Sequence, residues 1–99
     1  MPSYIAESYL SRARYGELTS LTERARDAAR VLAAEGQDVA YLRHALVPED
    51  EVCLLWLIAP SPAIVSEVGR LAKLEFDRIS EELEPPPPPQ EEKCAHEPA

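Results

Sequence analysis

The chain of 99 residues contains no glycine-rich nucleotide loop, no nucleophile motif and no strong metal signature. Short motifs therefore assign it no reaction class. It holds only two cysteines, Cys53 and Cys94, too few for a disulfide framework and in keeping with a reducing compartment. Long apolar runs are also missing. The longest, Val52 to Pro60, is about half of what a membrane-spanning helix needs. The opening residues, MPSYIAESYL, lack a basic segment, an apolar core and a small-residue cleavage site, so a soluble, cytoplasmic protein is expected. No Lys/Arg cluster with interleaved aromatics occurs, and the formal net charge is −8. Such a surface repels phosphate backbones and anionic headgroups, which argues against nucleic acid and membranes as partners.

What is present fits one small domain with a single core, at 45% hydrophobic and 28% charged residues. Half of the ten prolines stand in one run, Pro85 to Pro89. The following QEEKCAHEPA carries no large apolar residue, so residues 85–99 are expected to form an extended, disordered tail after a domain over 1–84. The tail holds three glutamates and one lysine, a charge of −2, which leaves −6 of the −8 on residues 1–84. Acidic flanks make the proline run a spacer rather than a docking peptide for a partner domain.

Residues 3–10, SYIAESYL, place Tyr4, Ile5 and Tyr9 in a stretch without internal Pro or Gly, which suits a first strand. From Glu17 to Glu35, the residues Leu18, Leu21, Ala25, Ala28 and Leu32 recur at helical spacing, and Gly36 stands where a helix C-terminus wants positive φ. Val39 to Ala59 reads as a hairpin around Pro48, Glu49, Asp50 and Glu51. With Pro48 opposite Glu51, Leu46 faces Cys53, His44 faces Leu55 and Arg43 faces Trp56. Ser61-Pro62 gives an N-cap serine with proline at the first helical position. Val65, Val68, Leu71 and Ala72 then make the stripe of a second helix. The piece KLEFDRISEELE has helical composition. A strand at Phe76 to Leu83 would instead complete a β-α-β-β-α-β order, the ferredoxin-like α+β fold with two helices on one face of a four-stranded antiparallel sheet. We expect the strand.

Three segments also carry a resemblance: PSYIAESYL, VAYLRHALVPEDEVCLLWLIAPSP and FDRISEELE. Over residues 2 to about 84 the chain is similar to a small bacterial family of nickel-binding proteins, otherwise a domain of unknown function. The shared marks are Glu7 in the first strand, Cys53 followed by Ala59-Pro60, and the closing Ile79-Ser80-Glu81. The resemblance implies a ferredoxin-like fold that dimerises through its sheets, with nickel binding in some members. Many members have a histidine in the second helix, in an Arg-Glu-His-Ala type of segment. Here the corresponding stretch is Ser66-Glu67-Val68-Gly69, so that histidine is absent.

Strict alternation puts His44, Leu46, Cys53, Leu55 and Leu57 on one hairpin face, and Tyr41, Arg43, Val52, Leu54, Trp56 and Ile58 on the other. Both faces are mainly apolar. A sheet buried on both sides is implied, with helices over one face and a second subunit or a ligand over the other. Two candidate sites follow. His44 and Cys53, diagonal neighbours, are ligand types for nickel, zinc or copper, with a third ligand needed from elsewhere, including Cys94 and His96 of the tail. The competing reading is a buried free cysteine beside a histidine satisfied by a carbonyl. On the other face, Glu7, Tyr41, Arg43 and Trp56 suit a small molecule with an anionic group, or an Arg-Glu pair and an aromatic anchor in a homodimer interface. Glu7, Tyr41 and His44 are acid-base types, but nothing in their spacing assembles them into a catalytic group.

Overall fold

Alternation in the first and third strands sets the layers. In the computed structural model, which describes residues 2–83, β1 (Ser3–Tyr9) buries Tyr4, Ala6 and Ser8, and β3 (Val52–Ile58) buries Cys53, Leu55 and Leu57. These six side chains form the floor of the core. α1 (Leu18–Ala34) covers them with Leu21, Ala25, Ala28, Ala29 and Leu32, and α2 (Pro62–Ala72) with Val65, Val68 and Ala72. β2 (Ala40–Val47) and β4 (Arg78–Glu82) complete a sheet of order β2-β3-β1-β4, antiparallel at every pairing. The element order is β-α-β-β-α-β, and the fold is the expected ferredoxin-like α+β plait. No helix among the described residues is long and apolar enough to cross a membrane. The proline-rich tail expected over 85–99 lies outside the described residues.

The helix ends show how local sequence sets the chain's direction. At the end of α1, Gly36 has φ 99°, its N–H donates to the Ala33 carbonyl and the Gln37 N–H to the Leu32 carbonyl. This is a Schellman closure on glycine. α2 closes in the same way, with Lys73 N–H donating to Arg70 O and Leu74 N–H to Gly69 O, but here Lys73 holds the left-handed position at φ 59°. A β-carbon is strained in that conformation. Lys73→Gly is therefore expected to stabilise the protein by about 0.5 kcal/mol, strain relief outweighing the entropy of the added glycine. The check is a thermal midpoint raised by roughly 2–4 °C. At its start, α2 has Pro62 in the first turn and an extended Ser61, but the serine side chain makes no capping bond. The expected N-cap is present in position only.

The connection from α2 to β4 explains why the last segment is a strand despite its composition. Phe76 packs its ring against Gly69, where a β-carbon would stand 2.9 Å from it. The buried Ser8 hydroxyl donates to the Glu75 carbonyl at 3.0 Å, and the Asp77 N–H donates to Glu7 O at 2.7 Å. The Asp77 carboxylate in turn accepts from the Tyr9 N–H at 2.8 Å. These long-range bonds align Arg78–Glu82 beside β1 from the first residue. Helical propensity in a short segment is worth only tenths of a kcal/mol per residue and yields to such pairing.

Candidate functional site

The hairpin register decides what each face carries. Leu46 pairs with Cys53, His44 with Leu55 and Arg43 with Trp56, as the turn at Pro48–Glu51 requires. One β-bulge breaks the alternation. The register shifts between Tyr41 and Arg43, so that Tyr41 pairs with Leu57 and Leu42 is the extra residue, 49% exposed. Tyr41 thus leaves the face assigned to it by alternation and joins His44 on the helix side. Its hydroxyl lies 2.6 Å from His44 Nδ1, and the Arg26 guanidinium sits 5.0 Å from its ring centroid. Burial pushes the Tyr41 phenol above its ordinary range, against the opposing pull of Arg26. The hydroxyl and Nδ1 share one hydrogen bond, whose donor is set by the imidazole tautomer. A groove of about 380 Å³ runs beside this group between α1 and β2, lined by Arg26, Arg30, Val39 and Tyr41 among others. Nothing in the sequence marked this trio, because a bulge is not visible in an alternating pattern.

His44 and Cys53 share the helix side but not an environment. His44 is exposed at the β2 edge, whereas Cys53 is 0% exposed at the sheet centre. Burial pushes its thiol up to about 11, so the thiolate that a metal needs is disfavoured at neutral pH. Val68, in the helix stretch where the resemblance has a histidine, is 0% exposed and fills the core. Among the described residues, no three His, Cys, Asp or Glu side chains converge on one point. The described residues do not by themselves assemble a nickel site. Cys94 and His96 lie outside the described residues.

Cys53 also gives a test. Alkylation of the native protein at pH 8, followed by peptide mass spectrometry, is expected to leave Cys53 unmodified until denaturant is added. Its linkage to stability has a definite sign. The thiol's ordinary value is 9.0 and its folded value is about 11, so the unfolded chain releases the proton first. The contribution is complete below pH 9.0 and is lost as pH rises towards 11.

Among the described residues nothing packs over the opposite face of the sheet, which is arranged in rows. One row runs Arg43, Trp56, Ile5, Ser80 across all four strands, and the next runs Ala45, Leu54, Glu7, Arg78. Ile58, Ser3 and Glu82 lie on the other side of the first row, where the Ser3 hydroxyl donates to Glu82 at 2.9 Å. The Arg43 guanidinium stacks on Trp56, 3.7 Å from the ring centroid. This is a cation-π contact at close range. Glu7 does reach this face, but its cationic neighbour is Arg78, at 3.9 Å. Arg78 was not singled out from the sequence, because its face depends on the register of β4. Arg43 takes part in none of the ion pairs among the described residues. Stacking leaves the in-plane N–H groups of a guanidinium directed away from the ring, where they match a carboxylate.

Of the expected residues, then, Arg43, Trp56 and Glu7 share the open face, while Tyr41 and His44 pair on the other side and Cys53 is sealed in the core. Scanning the chain against protein-family models finds no match, and no curated protein or solved structure matches it either.

Proposed function

We propose that the protein is a homodimeric small-molecule-binding protein. Two copies face each other through their open sheet surfaces, and Arg43 and Trp56 hold the carboxylate and the flat apolar part of a small ligand enclosed between them. The observation that carries this reading is the row Ile5-Trp56-Arg43. It is an apolar strip in the middle of a sheet face that no other described residue covers, ending in a guanidinium with no ion-pair partner among the described residues. Soluble antiparallel sheets that face water on one side carry polar residues there. This face instead has Ile5, Leu54, Trp56 and Ile58 at its centre. A domain of this size also gains from burying such a patch, because its own core supplies limited stability. The buried free thiol of Cys53 suits the reducing cytoplasm.

A nickel-binding role, implied by the family resemblance, has less support. It would draw a thiolate from a core position, and the second-helix histidine that many members carry is replaced here by the buried Val68.

Sedimentation equilibrium over a concentration series tests the dimer, and the emission of Trp56, the only tryptophan, tests the site. The expected results are a concentration-dependent dimer and a saturable change in emission with benzoate, smaller with acetate, that Arg43→Gln abolishes. A monomer at every concentration with emission indifferent to benzoate would sink the proposal.

A further inference from the structure

Another cavity opens where the end of β1 meets the first turns of α1 and the connection from α2 to β4. It has a volume of about 450 Å³ and is lined by Ser8, Arg24, Lys73, Leu74, Glu75 and Asp77 among others. Four of these residues are charged, and the two signs are kept apart. Among the described residues, neither Arg24 nor Lys73 forms an ion pair with Glu75 or Asp77. We propose that this cavity binds an α-amino acid as its zwitterion, the carboxylate on Arg24 and Lys73 and the ammonium on Glu75 and Asp77. The site shares no residue with the Arg43-Trp56 surface and does not rest on the reading of that surface.

Three observations support it. The first is preorganisation. Arg24 reaches from α1 to the end of α2, where its Nε donates to the Ala72 carbonyl at 2.9 Å, and its Nη1 donates to Ser20 Oγ at 3.2 Å. Asp77 is held by the Tyr9 N–H at 2.8 Å. Each sign thus has one group fixed in advance, with Lys73 and Glu75 in the same lining. Arg14, the third cation there, is already paired with Glu17 at 3.0 Å. The second is the backbone. Lys73 holds the left-handed position that closes α2, at φ 59°, where glycine is free of strain. Side chains kept in such conformations cluster at ligand sites. The third is charge balance. A phosphate dianion would be repelled by the two carboxylates, and a simple cation by Arg24 and Lys73. A ligand bearing both charges satisfies both pairs, and because exposed ion pairs are individually weak, their combination is what selects. Leu21 and Leu74 offer the side chain an apolar wall, and the volume falls within the range of about 300–1,000 Å³ usual for small-molecule sites.

The test is an NMR titration of the isotope-labelled full chain with L-leucine. Two relatives of leucine serve as controls: isocaproate, which lacks the amine, and isoamylamine, which lacks the carboxylate. The expected result is a saturable shift of the Ser8, Lys73, Leu74 and Asp77 amide signals with L-leucine alone, while the Trp56 indole N–H stays in place. Lys73→Gly removes one cation at a position where glycine relieves strain. It is expected to raise the thermal midpoint and yet weaken L-leucine binding about fivefold. Glu75→Gln, at an exposed residue, is expected to weaken binding by a similar factor without changing the midpoint.

Absence of a saturable shift overturns the proposal, as does binding of isocaproate, isoamylamine or inorganic phosphate as tight as that of L-leucine. Unchanged binding in either variant overturns it too, and shifts centred on Trp56 would place the ligand on the other face of the sheet.

Discussion

Leu55→Ala is expected to reduce the unfolding free energy by about 3 kcal/mol, measured by urea denaturation with Trp56 emission as the signal. Leu55 is 0% exposed at the centre of β3, between Cys53 and Leu57 and beneath both helices. Removing its isobutyl group loses the transfer free energy of the buried carbons. It also leaves a cavity that flanking strands, hydrogen-bonded on both sides, cannot close. Because small domains are stable by only about 5–15 kcal/mol in total, the variant should show a clearly lowered midpoint with little change in slope. An unchanged midpoint would mean that this position is not the core the structure describes.

Trp56→Ala, one residue further along the same strand, is expected to do something different. Its side chain lies on the open face, partly exposed and stacked under Arg43. Within one chain the substitution loses the cation-π contact and part of the apolar burial, a cost of about 1 kcal/mol. Between chains it removes the aromatic anchor at the centre of the proposed interface, where truncations typically cost 2 kcal/mol or more. Self-association should therefore weaken by at least about tenfold, with the thermal midpoint of the dilute monomer only slightly lowered. Sedimentation equilibrium paired with thermal melts separates the two effects. If stability falls as far as in Leu55→Ala while association is unchanged, the open face is not an interface.

These neighbouring residues show why much of this fold is legible in the sequence. Alternation along VCLLWLI separates Leu55 from Trp56 without any knowledge of the fold, because side chains of a strand point to opposite faces. The spacing of Leu21, Ala25, Ala28 and Leu32 likewise defines the buried stripe of α1. Gly36 marks the end of that helix because its backbone angle is open to glycine at no steric cost. The four-residue acidic turn fixes the pairing of Arg43 with Trp56. Such features are local, and short-range sterics are enough to set them.

Other features depend on contacts between residues distant in the chain. β4 is a strand because Phe76 fits Gly69 and because Ser8, Glu7 and Tyr9 bond to residues 75–77. The segment's own composition points to helix. Tyr41 faces the helices because a single residue, Leu42, is accommodated as a bulge opposite β3. That extra residue reverses the face of everything before it, and so Tyr41 joins His44 and Arg26 instead of Arg43.

By itself, the sequence determined the first five elements in the order β-α-β-β-α, the two helical stripes, the hairpin register at its turn and the presence of two apolar sheet faces. Only the tertiary structure decided which face the helices cover, that Cys53 is sealed while His44 is exposed, that Glu7 meets Arg78, and that Arg43 on Trp56 lies open. The physical reason is that alternation fixes which residues share a face, whereas the assignment of a face to core or to surface is a packing choice made by the whole chain.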